Sequence, residues 1–199
     1  MSRRWKRSLQ LVCGITLSVL AASTASTDDF LLERHRAGRI IVGMPEAAIY
    51  QIYSPKITKK VDLQLEGTPT PAVQVFLTKD QSTPSLVILL DDPQTGVYSI
   101  DVRDSRFKTR DGIGVGSSLG QLRKTKTKLF ITDGEGAIVA VAEDLGMSFF
   151  LLLDGQAEKA YYATRRRYVG HDNPSIPDAA RITSVSVLWS PEPSTARQK

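Results

Sequence analysis

The chain has 199 residues, 41% of them hydrophobic, with 26 Lys and Arg against 21 Asp and Glu and a single cysteine. That length is enough for one medium domain or two small ones, each with a sizeable apolar interior. One cysteine excludes an internal disulfide framework, and a composition this apolar excludes a wholly disordered chain.

The N-terminus carries the pattern of an export signal. Arg3, Arg4, Lys6 and Arg7 form a basic region, residues 9–20 are an apolar stretch too short to span a bilayer comfortably, and Ser23-Thr24-Ala25 is a small-x-small cleavage pattern. Residues 1–26 therefore read as a signal peptide cleaved near Ala25 or Ser26. Cys13 follows Val12 in mid-run, so it reads as an apolar residue of the leader rather than a lipid-attachment site. Its removal takes four basic residues and no acidic one, leaving 22 basic against 21 acidic residues. The high isoelectric point thus belongs mainly to the leader and gives no reason to expect nucleic acid. The expected location is periplasmic or secreted, with no stable membrane insertion after cleavage.

Residues 27–37 form a short N-terminal segment, and residues 38–104 read as a first helix-plus-sheet unit. Met44-Pro45-Glu46 looks like a helix start with proline at the first helical position, and Met44, Ala48, Ile49 and Ile52 give an apolar face. The helix should end before Pro55. Strands are expected at 57–65, 72–77, 86–90 and 97–102, separated by breaker clusters at 66–71 and 79–84.

The same order recurs in residues 105–189. The Gly112-Ile113-Gly114-Val115-Gly116 run leads into a short helix in which Ser118 and Gln121 have capping-box spacing. Strands are expected at 128–132, 137–142, 147–153 and 182–189, with turns at Asp133-Gly134 and Leu145-Gly146. Gly43 and Gly116 occupy matching places 73 residues apart, and Ile100 and Val102 match Val185 and Val187. The expected fold is α+β: an antiparallel sheet with two short helices, as two tandem repeats or as one continuous sheet. Residues 190–199 hold two prolines and read as a disordered tail.

Several stretches resemble a group of uncharacterised bacterial exported proteins: Ala37-Gly38-Arg39-Ile40 with Gly43-Met44, Val61-Asp62-Leu63 with Glu66-Gly67, Ile100-Asp101-Val102 with Arg106-Phe107-Lys108-Thr109, the run from Gly112 to Ser117, Gly134-Glu135-Gly136, and Phe149 to Asp154. They cover most of residues 37–154. In architecture the chain is similar to the tandem helix-plus-hairpin units of the secreted beta-lactamase inhibitor protein and of small outer-membrane assembly lipoproteins. That resemblance implies an activity of binding other proteins; the missing lipid-attachment cysteine departs from the lipoproteins.

The residues themselves offer little chemistry. Glycines 112, 114 and 116 entering a helix suit an anion-binding loop, but no P-loop lysine or strand-helix-strand pattern accompanies them, so they read as a tight turn capped by Ser117 or Ser118. His35 and His171 lie far apart and suggest no metal site, and neither Asp91-Asp92 nor Asp101 with Asp104 has calcium-loop spacing. No catalytic residue, cofactor or metal is assigned. Of two basic stretches, Arg123 to Lys128 reads as a solvated edge. In the other, Arg165, Arg166 and Arg167 stand between Tyr161, Tyr162 and Tyr168, a mixture that protein interfaces enrich, and these six residues form the candidate interaction surface. The leading expectation is a non-enzymatic exported module that binds another protein or an envelope component. The alternatives are an envelope hydrolase using His171 with a serine and a carboxylate, and a small-ligand carrier with an apolar pocket between helix and sheet.

Overall fold

A computed structural model describes residues 27–65, 67–80, 82–91, 96–125, 127–134 and 136–188. The expected signal peptide and C-terminal tail, with Cys13, Asp92 and Trp189, lie outside the described residues. Three two-residue strands, β1 (Leu32–Glu33), β2 (Arg36–Ala37) and β3 (Ile40–Ile41), form a small sheet ahead of α1 (Glu46–Ile52). Strands β4 (Thr58–Leu65), β5 (Thr68–Val75), β6 (Leu86–Leu90) and β7 (Val97–Val102) follow, and then α2 (Leu119–Lys124). The chain continues through β8 (Leu129–Gly134), β9 (Ala137–Ala142), β10 (Met147–Leu152), α3 (Gly155–Thr164) and β11 (Arg181–Leu188).

The α+β class with an antiparallel sheet holds. Strands β4 to β11 make one eight-stranded sheet in the order β4-β5-β6-β7-β11-β10-β9-β8, with every pairing antiparallel. Each predicted unit supplies four neighbouring strands, and the last strand of each meets the other at the centre. There Ile100 lies opposite Val187, Asp101 opposite Ser186 and Val102 opposite Val185.

The geometry around the matching glycines recurs in detail. Gly43 and Gly116 have φ of 88° and 85°, in the left-handed region that glycine enters without strain. The Gly43 amide donates to the Val97 carbonyl while the Val97 amide donates to Met44; the Gly116 amide donates to Ile182 while the Ile182 amide donates to Ser117. Each glycine thus ties the entry of its helix to the start of its unit's last strand. The β6–β7 and β10–β11 pairings also shift register at corresponding points, between Leu89 and Leu90 and between Phe150 and Leu151. Ile49 of α1 and Leu122 of α2, again 73 residues apart, are both fully buried.

Local chemistry departs from the sequence expectation in four places. Pro45 is the N-cap of α1 rather than its first helical residue, and it makes no side-chain cap, whereas Ser118 and Gln121 form the full capping box of α2. Pro69 and Pro71 lie inside β5 rather than in a turn. Both stand at positions whose N–H would point away from β4, where β5 has no β6 partner because that pairing begins at Ala72, so no ladder bond is lost. Asp133 and Gly134 extend β8 instead of turning. A third helix, α3, adds to the two read from the sequence; Asp154 caps it by accepting from the Gln156 and Ala157 amides.

One face of the sheet carries the core. Val73, Leu86, Ile88, Ile100, Phe149 and Val185 share this face by register and are buried with Ile49, Leu119, Leu122 and Tyr161 of the helices. Leu32, Ala37 and Ile40 of the small sheet join the same apolar cluster.

Candidate functional site

The structure divides the six residues of the tyrosine-arginine segment. Tyr161 faces inward from α3 and is buried; its hydroxyl donates to Asp133 Oδ1 at 2.7 Å. Arg165 Nη1 donates to the other Asp133 oxygen at 2.6 Å, and the Arg165 guanidinium lies 5.0 Å from the centre of the Tyr162 ring. The hydrogen bond from Tyr161, then that from Arg165, holds the Asp133 carboxyl below its ordinary value. Burial and the bond to Asp133 raise the Tyr161 phenol correspondingly. Tyr161 and Arg165 therefore dock α3 on the end of β8. Tyr162, Arg166 and Arg167 are exposed, Tyr168 is half-buried, and Val169 beside them is 75% exposed.

The glycine loop is a turn whose amides are already used. The Gly112 amide donates to the Thr109 carbonyl, the Ile113 amide to Thr109 Oγ1, the Gly114 amide to Ser117 Oγ and the Gly116 amide to Ile182. Gly114 is required by proximity, because a Cβ there would meet the Phe107 carbonyl oxygen at 2.1 Å. Lys108 reaches beneath the loop and donates to the Val115 carbonyl at 2.7 Å, and burial lowers its pKa. With its donors spent internally, the loop has few amides left to offer an anion. Beside it an open cleft of about 330 Å³ is lined by Asp111, Gly112, Ile113, Gln121, Lys124 and Thr125. This lining is mainly polar, unlike the apolar pocket expected of a small-ligand carrier.

Arg123, the first residue of the lysine-rich run, is a clamp rather than a solvated charge. Its Nε and Nη2 donate to Asp172 at 2.8 and 2.9 Å, Nη1 donates to Asp178 and to the Ile176 carbonyl, and Nη2 also donates to the Asn173 carbonyl. It fixes the segment between α3 and β11, inside which Asn173 is fully buried and hydrogen-bonds Thr164 and Ser175. Lys128 pairs with Glu143 in the exposed manner expected of an edge.

His171 lies exposed in this segment, and its imidazole makes no hydrogen bond to a described serine or carboxylate. Asp172, the adjacent acid, is engaged by Arg123. Among the described residues no serine and carboxylate are hydrogen-bonded to the His171 imidazole as the hydrolase reading requires. Its backbone has another use: the Ile131 amide of β8 donates to the His171 carbonyl at 3.1 Å, so this segment runs along an edge of the sheet. Asp101 pairs with Arg103 and Asp104 with Arg106. Among the described residues no group of three or more His, Cys, Asp or Glu could hold a metal ion, and no helix is long and apolar enough to cross a membrane.

A feature that no sequence motif announces is the second face of the sheet. By register it carries Val61, Leu63, Leu65, Val87 and Leu89 on one side and Phe130, Val139, Val141, Phe150 and Leu152 on the other. Between them runs a seam of hydroxyls, with Ser99 and Ser186 3.2 Å apart across the central pairing. Val87 and Val139 are buried, as are Ser99 and Ser148 of the seam; the other apolar residues are half-buried except Leu152, which is 64% exposed, and none belongs to the main core cluster. An antiparallel sheet with one solvated face normally alternates apolar and polar residues. Strands such as Leu86–Leu90 and Ala137–Ala142 are apolar on both parities, which was the available signal.

No protein-family model matches the chain, and no curated protein matches it. Among solved structures it is similar to the uncharacterized protein YfeY of Escherichia coli, with a TM-score of 0.53 and 15% identity over 81% of this chain and 99% of that one. That likeness shows the fold.

Proposed function

We propose that the protein is an exported, non-enzymatic module that binds another protein or an envelope component through the second face of its sheet. The observation that carries this reading is the set of half-buried apolar side chains on both flanks of that face, with Leu152 64% exposed, all of them outside the main core cluster. Apolar patches of that kind, interrupted by polar groups that can hydrogen-bond, mark interaction surfaces. The basic, apolar and small-residue order of residues 1–26 supports export. Tyr162, Arg166 and Arg167, with the exposed Val169, form a smaller surface beside β8 that suits an acidic partner patch. The matched glycine bonds and register shifts support reading the two halves as one duplicated helix-plus-sheet unit.

Photo-crosslinking groups placed at Phe130 and Phe150 test the binding reading in envelope preparations. The expected result is one discrete crosslinked species, absent when the group stands at the exposed Lys159 of α3 and lost on Leu152→Glu. Equal background from all three positions would overturn it. The mass of the native protein checks export: the expected N-terminus is near residue 26.

A further inference from the structure

The two edges of the sheet are finished differently. On β8, the Ile131 amide is taken by the His171 carbonyl. On β4, no described segment pairs with the outer side. The Phe76 amide donates to Ile57, which fixes the alternation: odd-numbered residues of β4 bond β5, while Thr58, Lys60, Asp62 and Gln64 turn their backbone groups outward. An eight-residue strand left in this state is a template for another strand.

We propose that the outer edge of β4 pairs antiparallel with β4 of a second copy, joining two sheets across a two-fold axis at Val61. This goes beyond binding through the sheet face and does not depend on it. The charges select the register. Pairing about Lys60 would set lysine against lysine, and pairing about Asp62 would set aspartate against aspartate. Pairing about Val61 sets Lys60 opposite the second copy's Asp62, and Thr58 opposite its Gln64, with all four residues at outward-bonding positions. Of the registers in which outward groups meet, it alone pairs all four outward-bonding residues of β4. Lys60 and Asp62 lie on the same face of the sheet and are both exposed. Lys60 is already steadied by Glu46 at 2.9 Å, while the Asp62 carboxylate has no partner among the described residues. The pairing supplies one. Directly opposed unlike charges favour a cross-strand pair and like charges oppose it.

Sedimentation velocity across about 1 μM to 1 mM protein tests this. The expected result is a reversible dimer whose dissociation constant rises about tenfold or more in Asp62→Lys and again in Lys60→Asp. Asp62→Lys loses no described contact, and circular dichroism checks that both variants fold. Mixing the two variants should restore association, because the one with lysine at both positions then faces the one with aspartate at both. Leu152→Glu, on the sheet face, should leave the dimer unchanged, which separates this failure from failure of the face reading. A protein that stays monomeric throughout, an Asp62→Lys variant that associates as well as the wild type, or a mixture that does not associate would each overturn the proposal.

Discussion

Gly43 and Gly116 make the same pair of backbone bonds in the two halves of the molecule, yet among the described residues nothing pairs with the outer side of β4, whereas the Ile131 amide of β8 donates to the His171 carbonyl. The difference comes from what each half inserts before its last strand. Between β6 and β7 the first half has a short connection, whereas between β10 and β11 the second half has α3 and a segment held by Arg123. The shared part is what a helix needs to enter beside the last strand: a left-handed glycine and two reciprocal bonds. The divergent part sits at the rim, where the longer connection of the second half meets β8 at Ile131 and no described segment meets β4.

Four measurements would break or sharpen this comparison. Ile49→Ala and Leu122→Ala remove fully buried side chains at matching places, and each should cost about 2–5 kcal/mol in urea unfolding. A cheap substitution at one and a costly one at the other would break the correspondence. Arg123→Ala has no counterpart in the first half; leaving Asp172 and the Ile176 and Asn173 carbonyls without their donor should cost about 2 kcal/mol and raise hydrogen exchange at Ile131. Gly43→Ala and Gly116→Ala meet no atom within 4 Å, so their cost is backbone strain alone, about 1–2 kcal/mol each by thermal unfolding.

The smallest effect is a pH dependence. Asp133 has its folded-state pKa lowered by Tyr161 and Arg165, so its contribution is complete above the unfolded value near 4 and disappears as pH falls through the folded value. Asp104 behaves alike in the first half, where bonds from Arg106 outweigh the upward push of burial. Asp133→Asn should flatten acid unfolding below about pH 4 while Asp104 keeps its share, as read by an acid titration of the near-ultraviolet signal.

The strands were legible because each apolar run is bounded by turn chemistry, and α2 because Ser118 and Gln121 carry a complete cap. Helix α3 was not, since only Ala157 and Tyr161 of its ten residues are buried and the helical period is correspondingly faint. Asp154 two residues ahead of Gln156-Ala157-Glu158-Lys159-Ala160, a run of good helix formers, was the signal available. Pro69 and Pro71 were read as breakers because sequence does not reveal which side of β5 has a partner. Tyr161 and Arg165 were grouped with their exposed neighbours because the carboxylate that holds them, Asp133, lies 28 and 32 residues away. The small sheet β1–β3 depends on distant bonds such as Leu32 to the Lys108 carbonyl, which no local pattern announces.

The central seat of β11 bears on the order in which the chain is completed. Its neighbours are β7 and β10, so strands β4–β7 and strands β8–β10 have no ladder between them until residues 181–188 are in place. A polypeptide emerging from a ribosome can form hairpins early, but this sheet is joined only after its other seven strands have been delivered. Deleting those eight residues would separate the halves, whereas shortening the β4–β5 hairpin would trim one side.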